Sequence, residues 1–489
     1  MKKIIFTIIL AGCAVGPNYT PPEDEVAEAW ATEPENIQVS TEAALVEWWK
    51  VFEDPLLNKY IEVAAEYNND VLTAESNILQ ARAMRQIAAS SFFPQIGADV
   101  NATKTYFSKN GPIFAIGPSV GNVPGTISPA TGLPFAAQVP QIQNLYNALF
   151  DVSWEIDLFG KTRRTVEAAD AVIGRTIEQR NDVLISVMAE IARNYIDVRA
   201  LQKRSELLEE NIAILEQKEL IVTQQLKAGY VSRLDYENIE AQLAEQRALL
   251  PDVKAQIYRG IYTLSILTGA VPEALVEEMI EPQPLPSVPE TIIVGLRSDL
   301  LRRRPDIRRA ERDLAASSAN IGVAVASFFP TITLIGDGGL QSLMIKNLFT
   351  LGSKTWALGG DINMPIFEGG RLTGNLKAKR AENAAAAHIY QQTVLSALEE
   401  AESALTAYSQ DLAKVQERIE AEKSYENLVV LSEARFSKGL TSKVNFLDTE
   451  RQLNDSEQNL LSSRTSSLLD LISLYKALGG GWEITMECE

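Results

Sequence analysis

Residues Tyr146 to Leu158 read YNALFDVSWEIDL, in which Tyr146, Ala148, Phe150, Val152, Trp154, Ile156 and Leu158 are apolar and alternate with Asn147, Asp151, Ser153, Glu155 and Asp157. Successive side chains of a strand point to opposite faces, so this spacing predicts a strand with an oily side and an acidic side. The second half of the chain has a counterpart, Thr355 to Ile366, which sets Trp356, Leu358, Ile362, Met364 and Ile366 against Asp361 and Asn363. Weaker alternation precedes each, at Gln95 to Tyr106, where Asp99, Asn101 and Thr103 are polar, and at Thr331 to Leu340. The connections run from Phe107 to Leu145, rich in Gly and Pro, and from Gln341 to Lys354. Two hairpins result. A soluble sandwich would set the apolar rows against a second sheet, but about four strands are too few to fill one or to close a barrel. Several chains pooling their strands would satisfy the pattern, with tryptophans at an interfacial belt, apolar residues towards lipid and acids lining water.

The hairpins belong to a longer pattern that occurs twice. SSFFPQI at Ser90 to Ile96 returns as ASFFPTI at Ala326 to Ile332, and KAGYVSRLDY at Lys227 to Tyr236 returns as SKGLTSKVNF at Ser437 to Phe446. Gly229 and Gly439 are 210 residues apart, as are Gly269 and Gly479. Each hairpin is followed by a stretch with helical apolar spacing and no proline, Thr162 to Lys227 and Leu372 to Ser437, in which Gly174 and Gly374 are the early glycines. At ~1.5 Å per residue, the first would run roughly 95 Å. Each long helix is expected to turn at Gly229 or Gly439 and return. Ser232 with Asp235, and Ser442 with Asn445, have the spacing of a helix cap and its third-position partner. Shorter helices are expected from Asp54 to Ala89 and from Arg302 to Ala326. The expected organisation is a signal peptide at 1–12, a tether at 13–53, a first repeat at 54–280 and a second at 281–489. Neither repeat is an independent globule.

Composition narrows the function. Of 489 residues 46% are hydrophobic, but only 7% are aromatic, and the middle is rich in Ala, Glu, Gln, Leu and Arg, the usage of long helices. A net charge of −19 argues against a general nucleic-acid binder and favours a cation-attracting lumen or groove. No run of about 20 apolar residues exists, so strands would be what spans a bilayer. At the N-terminus Lys2 and Lys3 precede the apolar run Ile4 to Leu10, and Leu10-Ala11-Gly12-Cys13 reads as a lipobox, with lipid attached at Cys13. A plain secretory signal and a mis-set start codon are the alternatives, because the apolar run is short. The only other cysteine is Cys488, so a disulfide framework is not indicated, although counting leaves a Cys13 to Cys488 bridge open. GPNYTPPEDE after Cys13 reads as an extended tether.

Several motifs carry a specific resemblance. GPNYTPP at Gly16 to Pro22, WEIDLFGKTR at Trp154 to Arg163, RRRPDIRRAE at Arg302 to Glu311, SFFPTI at Ser327 to Ile332, PIFEGGR at Pro365 to Arg371 and KALGGGW at Lys476 to Trp482 are similar to the outer-membrane efflux channels of the TolC family, in its lipoprotein, NodT-like branch. The resemblance implies a mixed α/β membrane protein. Its homotrimer would close a twelve-stranded β-barrel in the outer membrane, four strands per chain, continued by a long periplasmic α-helical barrel. It implies a lipid-anchored exit duct without a pump of its own, joined through a periplasmic adaptor protein to an inner-membrane transporter, commonly of the resistance-nodulation-division type. A protein-secretion duct is the nearest rival within that fold, and a trimeric coiled-coil stalk or adhesin is a more distant one.

The same resemblance places a gate at the periplasmic helix tips. By the tip motifs Asp448 takes the position of a luminal aspartate ring, and Asn445 stands where a second aspartate is found in the best-known member. Asp235 matches an aspartate that helps to hold the closed state, but the expected tyrosine and arginine are Phe436 and Thr441, leaving Arg435, Lys438 or Lys443 as substitutes. For Asp235 a plain helix cap is the equal alternative, and for Asp448 a solvated helix position. The adaptor-docking tips would be Gly229, Ser232, Gly439 and Ser442. Catalysis finds little: His388 is the only histidine, in an Ala-rich helical run, with no metal-site, nucleophilic or phosphate-loop pattern around it. Glu399 and Glu400 point in different directions on a helix. The expectation is a passive conduit that is no enzyme and needs no cofactor or metal.

Overall fold

The computed structural model describes residues 14–22, 30, 37–39, 46–108, 141–288, 292–294 and 297–483. Cys13, Cys488 and the expected signal peptide lie outside them. Apart from single turns, the helices are α1 (Pro55–Tyr67), α2 (Asn69–Ser90), α3 (Lys161–Lys227), α4 (Arg233–Leu267), α5 (Pro305–Ala326), α6 (Arg371–Ser437) and α7 (Lys443–Ala477). The strands are β1 (Ile37–Val39), β2 (Gln95–Tyr106), β3 (Ile142–Ile156), β4 (Ile292–Val294), β5 (Thr331–Ser342) and β6 (Lys354–Asn363). From the hairpins onward the halves match: α3 and α6 each have 67 residues, and α4 and α7 each have 35. No described helix is long and apolar enough to cross a membrane.

Two compact units form, and both draw on both halves of the sequence. One comprises Met1–Tyr19, Ala83–Asp170 and Ala316–Asn383; the other comprises Thr20–Arg82, Ala171–Ala315 and Ala384–Glu489. The first unit holds a four-stranded antiparallel sheet in the order β2-β3-β5-β6. Its repeated SFFP motif is a helix-to-strand junction: Phe92 N–H donates to Ala89 O and Phe93 N–H to Ser90 O, while Phe328 and Phe329 do the same to Val325 and Ala326. Pro94 and Pro330 follow, and a proline cannot continue a helix. The WEIDLFGKTR motif is a strand-to-helix junction. Asp157 accepts from the N–H groups of Thr162 and Arg163, at 3.1 and 2.9 Å, at the start of α3. Gly160 supplies a left-handed φ of 84° between them. Arg164 then holds the GPN segment, donating to Val15 O and to Asn18 Oδ1 at 3.2 and 2.8 Å.

In the second unit two further motifs, RRRPDIRRAE and KALGGGW, meet in one core. Trp48 stacks on Tyr475 with centroids 5.5 Å apart. Arg304 donates to Ala477 O and to the carboxylates of Asp306 and Glu400, while Trp482 Nε1 donates to Arg303 O and lies under the Arg308 guanidinium. The RRRPD and KALGGGW segments are thus the two sides of one packing contact. Around it Leu57, Ile61, Leu184, Met188, Ile191, Leu468 and Leu471 are fully buried.

The expected single helix from Asp54 to Ala89 is two. Asn68 breaks it, because its side chain accepts from Asp70 N–H to start α2 while donating to Leu267 O. β3 begins at Ile142, earlier than the alternation indicates, because Gln143 to Leu145 pair with β2 despite their mixed polarity. A short parallel pair, β1 with β4, was not expected at all.

Candidate functional site

Two features are the candidates for function: the faces of the sheet and the tips of the long helices. Residues directly opposite in an antiparallel pair share a face. The register therefore puts Ile96, Ala98, Val100 and Ala102 of β2 beside Tyr146, Ala148, Phe150, Val152, Trp154 and Ile156 of β3. Ile332, Leu334 and Leu340 of β5 and Trp356, Leu358 and Ile362 of β6 continue the same face. The opposite face carries Asp99, Asn101, Asn147, Asp151, Glu155, Asp337, Gln341 and Asp361. There the amides form a chain: Gln341 donates to Asn147, Asn147 to Asn101 and Asn101 to Asp99, at 3.0, 2.9 and 2.5 Å. The apolar face is open, with Val100 at 79%, Trp356 at 75% and Leu358 at 81% exposure, far from what an aqueous surface sheet carries.

Both helix tips lie in the second unit and are built alike. Gly229 takes φ 78° and Gly439 φ 70°, which lets Tyr230 N–H reach Gln225 O and Leu440 N–H reach Arg435 O, the paired closure of a Schellman turn. A Cβ at either glycine would meet nothing within 4 Å, so only the left-handed backbone requires glycine there. Ser232 then caps α4 and Ser442 caps α7. In the first tip Asp235 completes a capping box, accepting from Ser232 N–H and Oγ–H at 2.9 and 2.7 Å, and these bonds hold its carboxyl below the usual range. In the second tip Asn445 N–H donates to Ser442 Oγ, and its side chain turns to Thr441 instead. Tyr230, Leu234 and Leu440 are left pointing outward, 66 to 83% exposed.

Near the second tip Phe436 and Phe446 stack at 6.0 Å, and the Lys443 ammonium lies 4.3 Å from the Phe446 ring centre. Asp448 meets Lys218 of α3 at 2.5 Å, with the lysine side chain only 11% exposed. The sequence reading missed Lys218. The repeat itself held no signal for it, since the residues at the same offset are Leu428 for Lys218 and Asn238 for Asp448. The site residues are therefore brought together in two separate tips, Gly229, Ser232 and Asp235 in one and Gly439, Ser442, Asn445 and Asp448 in the other. His388 lies on α6 with Nδ1 3.4 Å from Gln391 Oε1.

The sequence pattern of the family described as outer membrane efflux protein matches residues 60–270 and 296–480. A probable efflux pump outer membrane protein, TtgC of Pseudomonas putida, is 30% identical, the match covering 99% of this chain and 95% of that protein. Nodulation protein T of Rhizobium leguminosarum is 27% identical, with 99% and 93% covered. Among solved structures, the outer-membrane channel OprN superposes with a TM-score of 0.83 at 28% identity, covering 96% of this chain and 100% of that one.

Proposed function

The chain belongs to the outer membrane efflux protein family and is an outer-membrane efflux duct, and on that premise we propose that three copies close one channel served by a separate pump. The observation that carries this is the two-faced sheet. β2 and β6 are its edges, with 12 and 10 residues. In hydrocarbon every backbone N–H and C=O must be paired, so an open edge is excluded. Pairing β6 of one copy with β2 of the next satisfies both edges, and three copies supply the twelve strands of a barrel with its acids inward and its apolar row towards lipid.

Small molecules or ions would pass from an inner-membrane transporter of the resistance-nodulation-division type, through a periplasmic adaptor, into this duct. The exposed Tyr230, Leu234 and Leu440 beside Gly229, Ser232, Gly439 and Ser442 suit such docking, since apolar side chains on rigid turns lose little freedom on binding. Asp448 contributes one carboxylate per chain to the periplasmic gate, with Asn445 beside it and Asp235 fixing the neighbouring tip. Cys13 is the lipid attachment point. The chain does no chemistry on what passes. The test is chemical crosslinking of the purified protein together with planar-bilayer recording. Trimers that conduct with cation selectivity support the reading, and monomers that neither insert nor conduct refute it.

A further inference from the structure

The apolar face of the sheet ends in a rim that is both oily and basic. Across all four strands the register leaves two charged side chains on that face, Lys104 opposite Asn144 and Lys354 opposite Leu340. Every strand carboxylate, Asp99, Asp151, Glu155, Asp337 and Asp361, is on the other face. Both lysines are exposed and lie towards the strand-to-strand connections rather than the helix junctions. The β5–β6 connection, residues 343–353, adds the exposed Lys346. None of the three has an ion-pair partner among the described residues.

That connection is tied to itself. Ser353 Oγ and Thr350 Oγ1 both donate to Asn347 O at 2.7 Å, Asn347 N–H donates to Met344 O, and Leu348 is turned inward at 6% exposure. It nevertheless holds Leu343, Met344, Ile345, Phe349 and Leu351 outward, at 51 to 81% exposure. Apolar groups fixed beside unpaired ammonium groups suit the boundary between acyl chains and headgroup phosphates, where lysine stems lie along hydrocarbon and their charges reach anions. The rim is also continuous with the apolar face that an outer-membrane duct turns to lipid, which favours lipid over a soluble partner.

We propose that the β5–β6 connection, with Lys104, Lys346 and Lys354, is a binding rim for phosphate-bearing anionic lipids. The proposal rests on the outer-membrane reading above. The test uses the full-length protein in detergent with equal phosphatidylglycerol and phosphatidylcholine, and counts retained lipids by native mass spectrometry. The wild type is expected to favour phosphatidylglycerol, with the preference falling by about fivefold at most for each of Lys104→Gln, Lys346→Gln and Lys354→Gln. The double variant Phe349→Ser, Leu351→Ser should lower retention of both lipids, and inorganic phosphate should displace neither. An unchanged lipid ratio in the triple lysine variant overturns the proposal, as does displacement by inorganic phosphate. Unchanged lipid retention in the serine variant, with the oligomer falling apart, overturns it too and assigns the loop to a second copy. Circular dichroism and bilayer insertion establish that each variant is folded. A wild type that fails to insert would undo the duct reading, whereas insertion without lipid preference undoes only this one.

Discussion

Asp151 and Asp337 stand directly opposite one another across β3 and β5, with Gly97 on the far side of Asp151 in β2. Like charges facing each other across a ladder are destabilising by roughly 0.2–1 kcal/mol, and no lysine or arginine of the strands shares their face. Such a pair is tolerable against water. In the proposed barrel it adds a cation-attracting wall to the acidic gate proposed at the helix tips.

Replacing both aspartates, Asp151→Asn with Asp337→Asn, should shift the reversal potential in a salt gradient towards that of a non-selective pore, without lowering thermal stability. Reversal potentials identical to wild type would mean that this face does not line the conducting path.

The two tips should respond unequally to loss of their caps. Ser232→Ala removes the oxygen that Asp235 N–H uses and breaks the reciprocal box, whereas Ser442→Ala removes one acceptor only. A loss of about 1 kcal/mol is expected at the first tip, read as about fivefold faster amide exchange over the first turn of α4, with a smaller change in α7. Equal effects at both tips would contradict the asymmetry.

Lys218 and Asp448 join α3 to α7, so removing either leaves a partly buried charge alone. Lys218→Met should cost about 1–2 kcal/mol and strengthen blockade by multivalent cations, because the carboxylate loses its counter-ion. Asp448→Asn should weaken blockade. If Lys218→Met leaves blockade unaltered, the carboxylate is not on the ion path.

Acidity should stabilise the helical part before it harms it. Burial pushes the carboxyls of Glu450, Glu457 and Asp470 on α7 up, and Glu433 beside Glu450, Glu210 with Glu422 beside Glu457, and Asp411 beside Asp470 add to it. A carboxyl raised in the folded state binds its proton more readily there than in the unfolded chain. Stability therefore rises as pH falls through the raised value and is lost again as pH climbs. The unfolding midpoint at pH 5 should exceed that at pH 7.5, and Glu457→Gln should flatten the difference. Asp235, held low by its cap, acts oppositely only in stronger acid. A midpoint lower at pH 5 would contradict this.

The sheet was legible because period-two alternation and register are the same information: Phe150 and Asp151 could not share a face. The tips were legible too, since Gly229 and Gly439 each precede a serine at cap spacing. What escaped was contact between distant segments. Nothing local in Lys218 announces Asp448, and the break at Asn68 depends on Leu267 O, which is 199 residues away. The outward loop at Phe349 was read only as a connection, because exposure is a property of packing and not of composition.

The most direct test of the two-faced sheet is labelling by a membrane-impermeant maleimide of the channel in outer-membrane vesicles, comparing Phe150→Cys with Asp151→Cys over the parent chain. A two-faced sheet requires labelling at position 151 through the water-filled interior and protection at position 150 by lipid. Equal labelling, or labelling of position 150 alone, would contradict it.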